Sequence, residues 1–197
     1  VAIQGDSIRL DVIGGGTPKG ICGSGVVDAA AALIRADVIE RNGRIKGREE
    51  VSTNLSTRIK EGPEGNSFIL FKGAEGEITL NQSDIRALQA AKSAIMAGIL
   101  ALLKKAGIDP PEIQTVYIAG AFGAGLKKES LISIGLLDGP LLKRAVLSGD
   151  AALEGAVLAA GSDEAKLRAE DIAKNAKYAP LSGSALFEKE FIKNMDF

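Results

Sequence analysis

The residues able to do chemistry here are glycines, lysines and a few polar side chains, because the chain has no histidine and one cysteine, Cys22. That set builds no Ser-His or Cys-His nucleophile pair and no Cys/His zinc or iron–sulfur site. It does suit the binding of negative charge, since backbone N–H groups at a helix start and lysine ammonium groups hold anions without having to titrate. Two stretches offer such groups. In Thr115–Gly125, T-V-Y-I-A-G-A-F-G-A-G, a β-branched and aromatic run breaks into Gly120, Gly123 and Gly125. Glycines there let the chain turn sharply and let a ligand come close, and ligands of open α/β sheets sit outside strand ends. The same residues would equally make a tight turn that binds nothing. In Gly20–Gly25, G-I-C-G-S-G, Gly23, Ser24 and Gly25 lead into an alanine-rich helix over 26–35. Ser24 there reads either as a phosphate contact or as a plain N-cap.

Three further positions stand out. Gln89 and Lys92 share one side of a long helix, and on spacing alone they read as a solvated polar edge. Gly155 sits in the middle of a helix over 151–160, where glycine costs about 1 kcal/mol relative to alanine. The close approach of a backbone or a nucleotide would explain it. Cys22 reads as a small buried hydrophobe, with a reactive thiol as the alternative. The run Gly14–Gly20, G-G-G-T-P-K-G, lacks the Gly-x-x-x-x-Gly-Lys-Ser/Thr pattern and reads as a glycine-rich loop.

The elements that must position these residues follow from periodicity. Strands are expected over 1–3 and 8–13, then a hairpin of 67–72 with 77–80 across Gly73-Ala74-Glu75-Gly76. The longest helix, over 84–105, is capped by Asn81 or Ser83 and stopped by Gly107, with Ile85, Leu88, Ala91, Ile95, Ile99, Leu102 and Leu103 as its apolar face. Then come a strand at Val116–Ile118, helix 128–134, strand 144–147, helices 151–160 and 164–174, a strand at 178–181 and a last helix over 184–194. The order predicts an α/β fold with a mixed sheet flanked by helices.

Composition excludes several classes. At 46% hydrophobic and 25% charged, with net charge −1, the chain is an ordinary globular protein with no basic field for nucleic acid. Aromatics make up 4%, with no tryptophan, which leaves no base-stacking surface. The longest uncharged run, 113–126, is shorter than the about 20 apolar residues that span a bilayer. The single cysteine suits a reducing, cytoplasmic compartment. The chain opens at Val1 without an initiator methionine and directly in strand-like sequence, so a fragment of a longer protein is expected.

Six motifs occur in one order: K-G-I-C-G-S-G at 19–25, Q-x-D-I at 82–85, Q-x-A-K-x-A-I-x-A-G at 89–98, A-G-A-F-G at 119–123, I-G-L-L at 134–137 and A-A-L-E-G-A at 151–156. From about Gly14 to Phe197 the chain resembles the C-terminal part of the ferredoxin-linked reductive activators of corrinoid proteins. More broadly it resembles the superfamily of actin, sugar kinases and heat-shock chaperone ATPases. The resemblance implies a ribonuclease-H-like, actin-like ATPase lobe, a partial domain filling 1–197. It implies ATP with Mg2+ as cofactor, Gly120, Ala121, Phe122 and Gly123 at the adenosine, Gln89 and Lys92 facing the ribose, Gly23, Ser24 and Gly25 approaching from the opposite side, and Gly155 close by. In the chaperones a Glu-x-x-Lys reaches the adenosine, and Gln89 replaces that Glu here. The implied activity returns cob(II)amide on a corrinoid protein to cob(I)amide, with the electron supplied by an iron–sulfur domain that this chain does not contain. No catalytic residue is carried over, and the first-lobe acidic magnesium motif has no counterpart. The alternative is a non-catalytic lobe that docks a corrinoid protein or forms a homodimer.

Overall fold

The computed structural model describes residues 1–120, 125–137, 139–181 and 183–197. Strands β1 (Ala2–Gln4) and β2 (Ser7–Arg9) form an antiparallel hairpin turning over Gly5-Asp6. The expected strand over 8–13 stops at Arg9, because β1 supplies ladder partners only that far. The chain then runs irregularly into Gly14, Gly15 and Gly16, whose φ values of 77°, 75° and 85° form a left-handed turn that favours glycine.

Helix α1 (Gly23–Arg35) follows, and Val27 through Leu33 are all buried in it. Four consecutive alanines let neighbours pack close on every side. Strand β3 (Ile59–Lys60) leads into the hairpin of β4 (Ser67–Gly73) and β5 (Gly76–Asn81), which turns over Ala74-Glu75. Phe68 and Leu80 face each other across it and join α1 in the core, with Ile39, Ile45, Leu55 and Ile59.

Helix α2 (Gln82–Ala106) starts at Asn81, whose N–H donates to Asp84 Oδ2 at 2.8 Å, and ends at Gly107 in the left-handed conformation, φ 68°. Its buried face matches the one expected from hydropathy only in part. Ile85 is buried and Leu88 and Ile99 pack on the core, but Gln89, Lys92, Ser93, Met96, Ala97 and Ala101 also turn inward, whereas Ala91, Ile95 and Leu102 are exposed, Ile95 by 50%.

Strands β6 (Val116–Ile118) and β7 (Ala145–Leu147) pair in parallel, and the crossover between them carries α3 (Lys128–Ser133) and α4 (Gly139–Lys143). Helices α5 (Ala151–Gly161) and α6 (Asp163–Asn175) form a helical pair with no buried residue. They are capped by Asp150, which accepts from the Leu153 N–H, and by Ser162, which accepts from the Ala165 N–H. The expected strand over 178–181 does not form, and Tyr178 is 89% exposed. Helix α7 (Ala185–Lys193) packs along α2. The α/β class stands, with parallel and antiparallel pairing both present. Among the described residues the strands lie in three small sheets rather than in one mixed sheet.

Candidate functional site

The first part of the site is the start of α1. Its N-cap is Cys22, in extended backbone with φ −82° and ψ 167°. Ser24 therefore lies inside the first turn and is not the cap, because the helix begins three residues earlier than its hydrophobic pattern shows. Apart from the Cys22 thiol, which leans on the Gly25 N–H, no side chain stands against the first-turn N–H groups, and no acidic residue is there. The Gly23 and Ser24 N–H groups and the positive end of the helix dipole are suited to an anion.

Cys22 is exposed rather than buried, since the cap position lies outside the packed body of the helix. Its Sγ lies 3.4 Å from Ser24 Oγ. Hydrogen bonding to Ser24, then to the Gly25 backbone, holds the thiol below its usual range. Gly25 has a local reason to be glycine, because a Cβ there would sit 2.9 Å from Ile21 Cγ1. Next to this helix start an open cavity of about 330 Å3 is bounded by Val12, Lys19, Cys22, Gly25 and Leu70.

The second part is the end of β6. Gly120 takes φ 98°, and its N–H donates to the Gly149 carbonyl at 2.7 Å. The Ser148 N–H donates to the Ile118 carbonyl at 2.9 Å, so the ends of β6 and β7 stay in register beyond the ladder. Ala121, Phe122 and Gly123 lie outside the described residues. The chain re-enters at Gly125 and reaches α3 through Leu126, which is buried, and Lys127.

The two parts are tied by Asp28, which the sequence did not mark. Its carboxylate, on α1, is 8% exposed. Ser130 Oγ, on α3, donates to Oδ1 at 2.6 Å, and Lys127 Nζ lies 3.1 Å from Oδ2. The Val1 nitrogen stands 3.5 Å from the same oxygen. Burial works against the charge, yet the Ser130 hydroxyl and the Lys127 ammonium together hold the carboxyl below its ordinary value. The available signal was a lone acid inside V-V-D-A-A-A-A-L, a run otherwise made for packing.

Gln89 and Lys92 do not form a solvated edge. They are 1% and 3% exposed, within a polar stripe that faces inward. Gln82 Oε1 accepts from the Ile45 N–H and its Nε2 donates to the Gly43 carbonyl. Arg86 donates to the Asn42 carbonyl and to Gln89 Oε1. Gly43, φ 84°, lies against the Gln89 amide so closely that any Cβ would overlap it. Lys92 Nζ donates to the Asp196 carbonyl and stands 5.7 Å from the centroid of the Phe197 ring. Ser93 donates to the Phe191 carbonyl. The ribose role implied for Lys92 thus meets an ammonium already engaged by the C-terminal segment.

The whole chain, residues 1–197, matches the family described as the C-terminal domain of RACo, the ASKHA domain. The chain belongs to this family. Among relatives of the RACo C-terminal domain, it is 37% identical over 145 residues to the corrinoid activation enzyme RamQ of Eubacterium limosum, covering 70% of this chain and 24% of RamQ. A solved structure, described as the reductive activator for corrinoid, iron-sulfur protein, superposes with a TM-score of 0.85 at 34% identity, covering 95% of this chain and 30% of that one. The chain therefore spans under a third of the length of either relative. Within this RACo-type domain, Gly155 lies on α5 in open space, where a Cβ would meet nothing within 4 Å. The close approach expected at Gly155 is not made by any described residue of this chain.

Helix α2 is, among the described residues, the one helix long and apolar enough to cross a membrane. Its inward polar stripe is bonded to the 42–45 turn and to the C-terminal segment, which makes it an interior helix.

Proposed function

We propose that this chain is the C-terminal nucleotide-binding lobe of an ATP-dependent reductive activator, which returns the cob(II)amide of a corrinoid protein to cob(I)amide. The reading assigns the electron to an iron–sulfur domain outside this chain and the driving force to ATP. It places the protein in the cytoplasm, with a corrinoid protein as partner.

The observation that carries the reading is the glycine start of α1, free of acidic residues and tied through Asp28 to the segment that follows the Gly120 turn. Free N–H groups at a helix start, glycines without Cβ atoms and Lys19 at the neighbouring cavity make a donor set suited to phosphate. Bound there, ATP would supply phosphoanhydride free energy. The chain's own part would be to hold the phosphates at Gly23–Gly25 and to shape the adenosine wall with Gly120, Ala121, Phe122 and Gly123. Among the described residues no cluster of carboxylates is placed to hold a metal ion, so Mg2+ would enter with the nucleotide and meet ligands outside this chain. Direct ribose contact from Lys92 would require Asp196 and Phe197 to leave it. In this reading Gln89 and Lys92 brace the elements behind the site, with Lys92 Nζ next to Gly135 after α3.

Calorimetric titration with magnesium-ATP, on this chain and on the full-length parent, tests the assignment. Binding by both places the adenosine half of the site here. Binding by the parent alone means that the missing lobe completes it. Binding by neither favours the second reading, a docking or dimerisation lobe. One observation speaks for that alternative: α5 and α6 leave Leu153, Val157, Leu158, Leu167 and Ile172 more than half exposed.

A further inference from the structure

We infer that in the parent the residues directly before Val1 continue β1 and pair with Asp11–Ile13, so that the rest of the protein joins this domain through a hydrogen-bonded strand. The inference does not depend on which ligand the domain takes. The register of β1 and β2 sets the partners: Ala2 faces Arg9, Ile3 faces Ile8 and Gln4 faces Ser7. One further step puts Val1 opposite Leu10. The next three put the first, second and third residues before Val1 opposite Asp11, Val12 and Ile13.

The stretch 10–13 is already shaped for such a partner, although among the described residues no strand pairs with it. Ile8, Leu10 and Val12 are partly buried while Arg9, Asp11 and Ile13 are exposed, so the alternation of a strand runs on past the last ladder pair. The backbone directions agree. Bonded and non-bonded pairs alternate along an antiparallel ladder. The two-residue turn over Gly5-Asp6 makes Gln4–Ser7 a bonded pair, so Ala2–Arg9 is bonded and Val1–Leu10 is not. At a non-bonded position the N–H points away from the partner strand, and the Val1 nitrogen indeed stands 3.5 Å from Asp28 Oδ2 on α1. Val12 falls at the next non-bonded position, and its carbonyl accepts from the Gly15 N–H at 2.9 Å. The trans peptide that follows turns the Ile13 N–H to the opposite side, the side on which a partner would run.

Room and anchoring fit as well. Val1, Leu10, Asp11, Val12 and Ile13 share the wall of the open cavity of about 330 Å3, so a chain leaving Val1 along the strand enters it. The far end of the hairpin is held by Asp6, which accepts from the Asn54 N–H at 3.1 Å and from its Nδ2 at 2.9 Å. This chain covers 24% and 30% of its two relatives, so in proteins of that length most of the mass lies outside it. A ladder at the joint would pass movement of that outside part to Gly14–Gly16 and Lys19, which follow β2 directly, where a flexible linker would absorb it.

The experiment is hydrogen exchange on the full-length parent, read at single amides by mass spectrometry with electron-transfer fragmentation. The Asp11 and Ile13 amides are expected to exchange at least about tenfold slower than those of Gly14 and Gly16. Equal rates overturn the inference. Protection of Leu10 and Val12 in place of Asp11 and Ile13 means a register slipped by one residue and overturns it too. A proline placed directly before Val1 removes the N–H that faces Asp11 and should return the Asp11 amide to fast exchange. Protection that survives this change means that another segment or a second copy holds the strand, and overturns the assignment of the occupant. Should that variant not fold, proline at the third residue before Val1 makes the same test at Ile13.

Discussion

Lys92 shows how a residue changes meaning once its surroundings are known. Its ammonium is buried against a carbonyl that lies 104 positions away in sequence. Nothing local announces that partner, so a Gln and a Lys three apart read as surface. Asp28 escaped notice for the mirror reason, since one acid in an alanine-rich helix resembles a solvated exception. The glycines were legible, because their backbone freedom is a local property. Removing the Lys92 side chain should strip the Asp196 carbonyl of its donor and leave a void. Lys92→Ala is expected to destabilise this chain by about 2–4 kcal/mol in urea unfolding. In the parent, it should leave magnesium-ATP affinity nearly unchanged wherever the variant is folded. Burial, opposed by Asp196 and reinforced by Arg41, lowers the Lys92 pKa below the ordinary 10.5. The unfolded chain then binds more protons here than the folded one, so stability at this position rises as pH climbs through the folded value toward 10.5. The stability of the parent sequence relative to Lys92→Met should show that alkaline rise, measured by urea midpoints from neutral pH upward. A flat difference would contradict the buried ammonium.

At the scale of elements, boundaries set by punctuation were legible and faces set by packing were not. Asn81 and Gly107 bound α2 because capping and the left-handed exit depend on the residues themselves. The inward face of α2 depends on the 42–45 turn, α7 and the C-terminal residues after it, whose backbone atoms take Gln82, Ser93 and Lys92 respectively, while Gln89 lies against Gly43 and accepts from Arg86. The strand expected over 8–13 lacks ladder partners beyond Arg9, and the one expected over 178–181 lacks them throughout. Two glycines on helices make opposite predictions. Gly25 has Ile21 packed where a Cβ would go, so Gly25→Ala should destabilise by about 1–3 kcal/mol through overpacking. Gly155 faces open space in a helix interior, so Gly155→Ala should stabilise this chain by about 0.5–1 kcal/mol. If α5 packs against the nucleotide in the parent, the same substitution should weaken magnesium-ATP binding there. Thermal melts of this chain and titration of the parent read the two effects separately.

Over the whole molecule, the α/β class was legible from the order of helices and strands, and the family because six motifs keep their order along the chain, where single motifs are ambiguous. Division into three small sheets was not legible, since pairing partners are fixed by tertiary contact. The α5–α6 pair is the least attached part of the fold, with no buried residue and a row of exposed leucines, valine and isoleucine. An exposed apolar face of that kind favours association. On its own, the chain should self-associate as concentration rises, and Leu158→Glu should reduce that association in sedimentation or light scattering. A chain that stays monomeric at every concentration would remove the case for homodimerisation through this pair.

Cys22 gives the site a readout that needs no engineering. It is the only thiol in these 197 residues, it is exposed, and it caps the helix whose glycines are assigned to phosphate. A thiol held below its usual pKa reacts faster with a maleimide or a disulfide reagent near neutral pH. One fluorophore would therefore attach at one position, beside the N–H groups in question. Its emission, or the protection of the unlabelled thiol from reagent as ligand is added, would turn occupancy of the α1 start into an optical signal on the unmodified sequence.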